Sequence, residues 1–148
     1  MKLSTKGRYG LRAMLDLAIH STGDHVSLYN IAQRQNISVS YLEQVFSTLR
    51  KSGLVKSVKG AQGGYILAEA PSDIMVGTIL RALEGDLSVA DEEVDAASVE
   101  GTVLKCIKLN VWDKMNECLN KVADSISLGS LTDEYKRLVG EEVDMYFI

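Results

Sequence analysis

Two cysteines in 148 residues are too few for a disulfide framework, and a reducing compartment would keep them as thiols. No apolar run approaches the roughly 18 residues that span a membrane. The opening Met1-Lys2-Leu3-Ser4-Thr5-Lys6-Gly7-Arg8 carries no apolar stretch of signal-peptide type. A cytoplasmic chain without membrane contact is the expectation. Catalytic signatures are missing as well: there is no H-E-x-x-H, no G-x-S-x-G and no paired-cysteine site. The two histidines, His20 and His25, bracket a turn and read as surface residues. An enzyme is therefore not expected. Repeats and low-complexity segments are absent, and the 46% hydrophobic, 24% charged composition is that of an ordinary globular domain.

The net charge of -4 hides an asymmetry. Through Ala68 nine basic residues (Lys2, Lys6, Arg8, Arg12, Arg34, Arg50, Lys51, Lys56, Lys59) face three acidic ones (Asp16, Asp24, Glu43). Beyond Ala68 seven basic residues face seventeen acidic ones. A basic half joined to an acidic half is a nucleic-acid signal for the basic part.

Apolar spacing predicts a first helix from about Arg8 to His20, with Leu11, Met14, Leu15 and Ala18 on one face. Ser27 is a plausible N-cap for a short second helix ending at Asn36. Ser40-Tyr41-Leu42-Glu43 fits an S-x-x-E capping box for a third helix. Its buried stripe would be Leu42, Val45, Phe46 and Leu49, with Gly53 as the left-handed residue closing it. Leu54–Val58 and Tyr65–Ala68 read as strands joined by Lys59-Gly60-Ala61-Gln62-Gly63-Gly64. A further helix is expected to start at Pro71-Ser72-Asp73 and end at Gly85. An acidic loop follows, then a long helix from about Thr102 to Ser125 with a seam at Leu104, Ile107, Val111, Met115, Cys118 and Val122. Alternation by three and four is of coiled-coil type, so this helix is the dimerisation candidate. Ser130-Leu131-Thr132-Asp133 would cap a last short helix ending near Gly140. The expected fold is mostly α: a winged helix-turn-helix with a two-stranded wing and a long C-terminal dimerisation helix. Its segments would be a DNA-binding domain (1–85), an acidic loop (86–101), the dimerisation helix with a short terminal helix (102–140) and a tail (141–148).

With its apolar stripe inward, the third helix offers Ser40, Tyr41, Glu43, Gln44, Ser47 and Lys51. A glutamine can pair with adenine, a glutamate can accept from the cytosine amino group, and hydroxyls serve bases or phosphates. At the hairpin, Gly60, Gly63 and Gly64 would let the backbone approach a sugar-phosphate wall, while Lys59 neutralises a phosphate or enters the minor groove. A nucleotide-phosphate loop is excluded, because no G-x-x-x-x-G-K-S/T occurs and the turn joins two strands. Lys2, Lys6, Arg8 and Arg12 would be positioning contacts to phosphates.

Met1 through Gly10, then Ser38-Val39-Ser40-Tyr41-Leu42-Glu43-Gln44, Gly53-Leu54-Val55 and Gly63-Gly64-Tyr65 resemble the IscR/NsrR/CymR family of bacterial regulators, over essentially the whole chain. The resemblance implies a homodimer with a long crossing helix that reads double-stranded DNA at a palindromic promoter site. It also implies that Ser38, Ser40, Tyr41, Glu43 and Gln44 approach the bases while the wing lies in the minor groove. Cluster-binding members carry three cysteines near the loop before the dimer helix. Here Leu87 through Lys105 holds no cysteine and no histidine, leaving Cys106 alone in such a place. Thiolates are the usual cluster ligands, so no cofactor is expected. An iron–sulfur cluster or a reactive thiol at Cys106 is the alternative, and Cys118 reads as a small core residue. The end, Asp144-Met145-Tyr146-Phe147-Ile148, resembles that of the cysteine-metabolism members, which act with cysteine synthase. Tyr146, Phe147 and Ile148 would be captured through the terminal carboxylate. The leading expectation is a metal-free repressor of cysteine or sulfur metabolism genes. A redox or iron–sulfur sensor and a protein-interaction module without DNA remain open.

Overall fold

The structure, a computed structural model, describes residues 2–95 and 97–146. Helix α1 (Thr5–His20) begins one turn earlier than periodicity suggests, because Ser4 accepts a hydrogen bond from the Gly7 amide and caps it. Glu84 seals the same end, its carboxylate accepting from the Ser4 amide at 2.9 Å and the Gly7 amide at 3.1 Å. Helix α2 (Leu28–Gln35) is capped by Ser27 and closed by Asn36 in the left-handed conformation, φ 53°. Asn36 thus turns the chain directly into α3 (Val39–Lys51). Gly53, at φ 78°, reverses it again into strand β1 (Val55–Val58), which pairs antiparallel with β2 (Gly64–Leu67).

The stripes meet in one core. Met14, Leu17, Ile31, Leu42, Phe46 and Leu49 are completely buried there, each contributing roughly 1.5–3 kcal/mol by leaving water. One carboxylate is buried with them. Asp16, 1% exposed, accepts from Arg34 (Nη2 to Oδ1 at 2.7 Å, Nε to Oδ2 at 3.0 Å) and from Gln35 Nε2 at 2.9 Å. These bonds raise the Arg34 pKa above its ordinary value. They tie α1 to α2, and α2 is the platform under α3. Loss of Arg34 would leave a buried charge without a partner, which is far costlier than the pair is stabilising.

Three expectations fail beyond the wing. Pro71–Asp73 is a separate 3-10 turn, and helix α4 (Val76–Glu84) begins only after Ile74 and Met75 take extended backbone. That extended step lets Met75 pair with Ser127 as an isolated bridge. The long helix starts at Val99 rather than Thr102, capped by Ser98. It runs as α5 (Val99–Ile107), a π turn (Lys108–Trp112) and α6 (Asp113–Ala123). One residue inserted into a helix rotates what precedes it by about 100°, so a seam counted on unbroken periodicity is not the observed one. Finally, α7 (Leu128–Tyr146) has 19 residues and passes straight through Gly140. The expected short helix and free tail are corrected: residues 141–146 are helical. The tail residues Phe147 and Ile148 lie outside the described residues. No described helix is long and apolar enough to cross a membrane.

Candidate nucleic-acid interface

Ser38, not Ser40, caps α3: its hydroxyl accepts from the Tyr41 amide at 3.2 Å. The S-x-x-E box is therefore corrected, and Ser40 and Glu43 sit inside the helix with their side chains exposed. This serves the outer face. Ser40, Glu43, Gln44, Ser47 and Lys51 follow one another at three- and four-residue steps, opposite Leu42, Val45, Phe46 and Leu49. Ser47 and Tyr41 are only half exposed. Tyr41 packs edge-on against Tyr9 at 6.0 Å, with Arg12 over the Tyr9 ring at 5.0 Å and Arg8 at 5.9 Å. Arg12 also donates to the Gln35 carbonyl, so its guanidinium is engaged within the protein. Arg8 stays exposed, held by one bond to Thr5 Oγ1 at 3.2 Å, and Lys6 is half-buried.

The wing is fastened to the body at an unexpected place. Val26 pairs with Tyr65 as a third short strand (Val26 N to Tyr65 O 3.0 Å, Tyr65 N to Val26 O 2.8 Å). The glycines are spent here. A Cβ on Gly64 would stand 2.3 Å from the Val26 carbonyl oxygen, and one on Gly63 would stand 2.5 Å from the Val58 carbonyl oxygen. Their openness is thus filled by the protein's own backbone, whereas Gly60 (φ 129°) and Lys59 remain exposed at the tip. His25, read as a bystander, donates through Nε2 to the Gln62 carbonyl while Nδ1 lies 2.9 Å from Asp24 Oδ1. It lines a cavity with Ser27, Asn30, Ala61, Gln62 and Gly63, between the start of α2 and the wing tip. Sequence carried no signal for this contact, which joins positions 37 residues apart.

Charge separates the two halves in space as it does in sequence. Among the described residues, Lys6, Arg8, Arg50, Lys51, Lys56 and Lys59 enter no ion pair, while Arg81, Lys108 and Arg137 of the acidic half each hold a carboxylate. Of the head's three acids, Asp16 is buried on Arg34 and Asp24 sits on His25, leaving Glu43 alone on the outer face of α3. Unneutralised cations around a polar helix are what a polyphosphate surface attracts.

The C-terminal half shows apolar surface instead. Val99, Val103, Leu109, Met115 and Val122 are exposed along α5 and α6, as are Leu138 and Val143 on α7. Cys118 is exposed too, so its reading as a core residue is corrected for the single chain.

Helix, turn, helix and a strand-paired wing, with cations left open around the second helix, define a winged helix-turn-helix transcription regulator. Residues 3–134 match the Rrf2 family, described as iron-dependent transcriptional regulators, and the chain belongs to that family. It is 44% identical over 136 residues to the HTH-type transcriptional regulator IscR of Vibrio atlanticus, covering 88% of this chain and 75% of that one. Among solved structures it resembles CymR, the global cysteine regulator of B. subtilis, at 40% identity and TM-score 0.75, covering 90% of this chain and 98% of that one. It also resembles T. potens IscR at 47% identity and TM-score 0.67, covering 91% and 88%.

The family's description implies iron, which the residues of one chain do not fit. Cys106 and Cys118 are both exposed and lie twelve positions apart on one helix, about 18 Å along its axis. Among the described residues no three His, Cys, Asp or Glu side chains converge as a metal site.

Proposed function

We propose that this regulator binds palindromic promoter DNA as a homodimer and represses cysteine or sulfur metabolism genes. Ser38, Ser40, Tyr41, Glu43, Gln44, Ser47 and Lys51 of α3 serve the major groove. Lys59 and Gly60 at the wing tip reach the minor groove, Gly63 and Gly64 shape the wing behind them, and Lys6 and Arg8 hold phosphates. The observation that carries this reading is the set of unpaired cations around the exposed polar face of α3. Exposed apolar residues along α5, α6 and α7 support pairing of two chains, since such a surface is usually covered. Likeness to a global cysteine regulator over nearly its whole length favours sulfur metabolism. The failure of the residues to fit a metal favours a metal-free protein.

A second reading, an iron–sulfur or redox regulator using Cys106, is favoured by the likeness to IscR proteins and by the exposure of that thiol. Binding of iron-free protein to fragments upstream of cysteine-metabolism genes separates the two. Tight binding by colourless, iron-free protein supports the first. Binding only after anaerobic loading with iron and sulfide, with visible absorption that Cys106→Ala abolishes, supports the second. Binding to no duplex would leave a protein-interaction module. Cysteine synthase is the partner proposed for Tyr146, Phe147 and Ile148. Tyr146 is 88% exposed at the end of α7, and capture of the intact chain but not of one lacking Ile148 is the expected result.

A further inference from the structure

Helix α4, the last of the reading head, meets α6 at a tight crossing. Gly77 is buried there, and a Cβ on it would stand 2.1 Å from Asp124 Oδ1. One turn along α4, Arg81 closes the crossing. Its Nη1 donates to Asp124 Oδ1 at 2.7 Å, and its Nη2 to Asp124 Oδ2 at 2.8 Å and to Asn120 Oδ1 at 2.7 Å. A guanidinium fork fixes direction as well as distance, and these bonds hold the Asp124 carboxyl below its ordinary range. Asn120 carries the network onward, donating to the Leu87 carbonyl at 3.0 Å. One turn back, Asn116 accepts from the Val89 amide at 2.7 Å and donates to Ser88 Oγ at 3.2 Å. On the far side, backbone bonds from Val76 N to Ile126 O (2.8 Å) and from Leu128 N to Ile74 O (2.9 Å) tie the start of α4 to the turn after α6. Val76, Leu80, Leu87 and Ala123 form the apolar floor beneath. Head, loop and α6 are thereby joined on both sides of one crossing.

This matters because a twofold reader meets its two half-sites at a distance set by the protein. If the chains pair along α5 and α6, the position of each α3 relative to the partner's depends on how each head sits on its own α6. We propose that Arg81, held by Asp124 and Asn120, sets the half-site spacing this regulator accepts, a specificity-determining residue that acts by geometry without reading a base. The inference rests on the paired-reader function proposed above. Without the fork, each head rocks on the remaining backbone ties and duplexes of wrong spacing are met at lower cost.

The test uses the full chain and a palindromic duplex recovered from a random-sequence pool by selection with wild-type protein. That duplex is remade with its half-sites one and two base pairs closer or farther apart. Wild type is expected to discriminate sharply against the altered spacings. Arg81→Met, which keeps the stem and removes the fork, should reduce that discrimination by about tenfold, a network coupling of ordinary size, while affinity for the original duplex changes little. Asp124→Asn, nearly isosteric, should move discrimination in the same direction and decides the matter if Arg81→Met melts too early to measure. An unchanged spacing profile in folded variants overturns the role of Arg81 and leaves the paired reader standing. Failure of the wild-type chain to select any palindrome overturns both.

Discussion

Gly64→Ala probes the seating of the wing. The added Cβ would lie 2.3 Å from the Val26 carbonyl oxygen, 2.6 Å from its carbon and 2.9 Å from the Ser27 nitrogen. All three are backbone atoms, so no side chain can swing aside and the strand pair must open. That gives up the two Val26–Tyr65 hydrogen bonds, about 1–3 kcal/mol together at the usual net value. The Phe46–Tyr65 ring contact at 4.9 Å loosens with them, for roughly another 0.5–1.5 kcal/mol. Alanine's stiffer unfolded chain returns about 0.4–1 kcal/mol. The balance is a destabilisation of about 1–4 kcal/mol, or roughly 2–4 °C of melting temperature for each kcal/mol in a chain of this size. Circular dichroism melting reads the first effect. DNA binding across a salt series reads the second, since a displaced wing withdraws Lys59 and should lower the salt slope by about one. A variant that melts and binds like wild type would refute the seating described here.

Gly140→Ala should act oppositely. Nothing lies within 4 Å of the added Cβ in the middle of α7, so the helix gains about 0.5–1 kcal/mol, visible as a higher melting temperature; a loss would mean that α7 ends earlier. Gln44→Ala should lose about 1–3 kcal/mol of discrimination at one base pair while low-salt binding to random DNA is unchanged, as measured by competition with single-base variants of the selected site. The Arg81–Asp124 fork should depend on pH in one direction only. Asp124 has its carboxyl pKa lowered by Arg81, so its contribution is complete above the ordinary carboxylate range near 4. It fades as acid titrates the folded carboxyl below that range. The stability difference between wild type and Asp124→Asn, measured by urea unfolding, should be constant at neutral pH and close in acid; a difference that widens in acid contradicts the assignment.

The reading head was legible because its signals are local. Ser27, Asn36 and Gly53 sit at the cap positions their chemistry favours, and the Leu42–Leu49 stripe has a helical period that only one face can bury. Where two local signals competed, sequence could not choose. Ser38 and Ser40 are both competent caps, and the left-handed turn at Asn36 decides for Ser38. Gly140 looked like a stop, yet Arg137 bridges Glu134 and Glu141 on either side of that level and α7 continues. The π turn at Lys108–Trp112 leaves no compositional trace. Contacts between distant segments were invisible for a plainer reason: the partners of His25, Gly64, Glu84 and Arg81 lie tens of residues away. Gly63 and Gly64 were singled out correctly as places of close approach, but the backbone that approaches them belongs to the protein.

The account stands most directly on the mass of the complex with a selected palindromic duplex, followed by sedimentation as salt is raised. Two chains on each duplex, released over a narrow range of rising salt, is the predicted result. One chain per duplex, or binding that ignores both base sequence and salt, would contradict it.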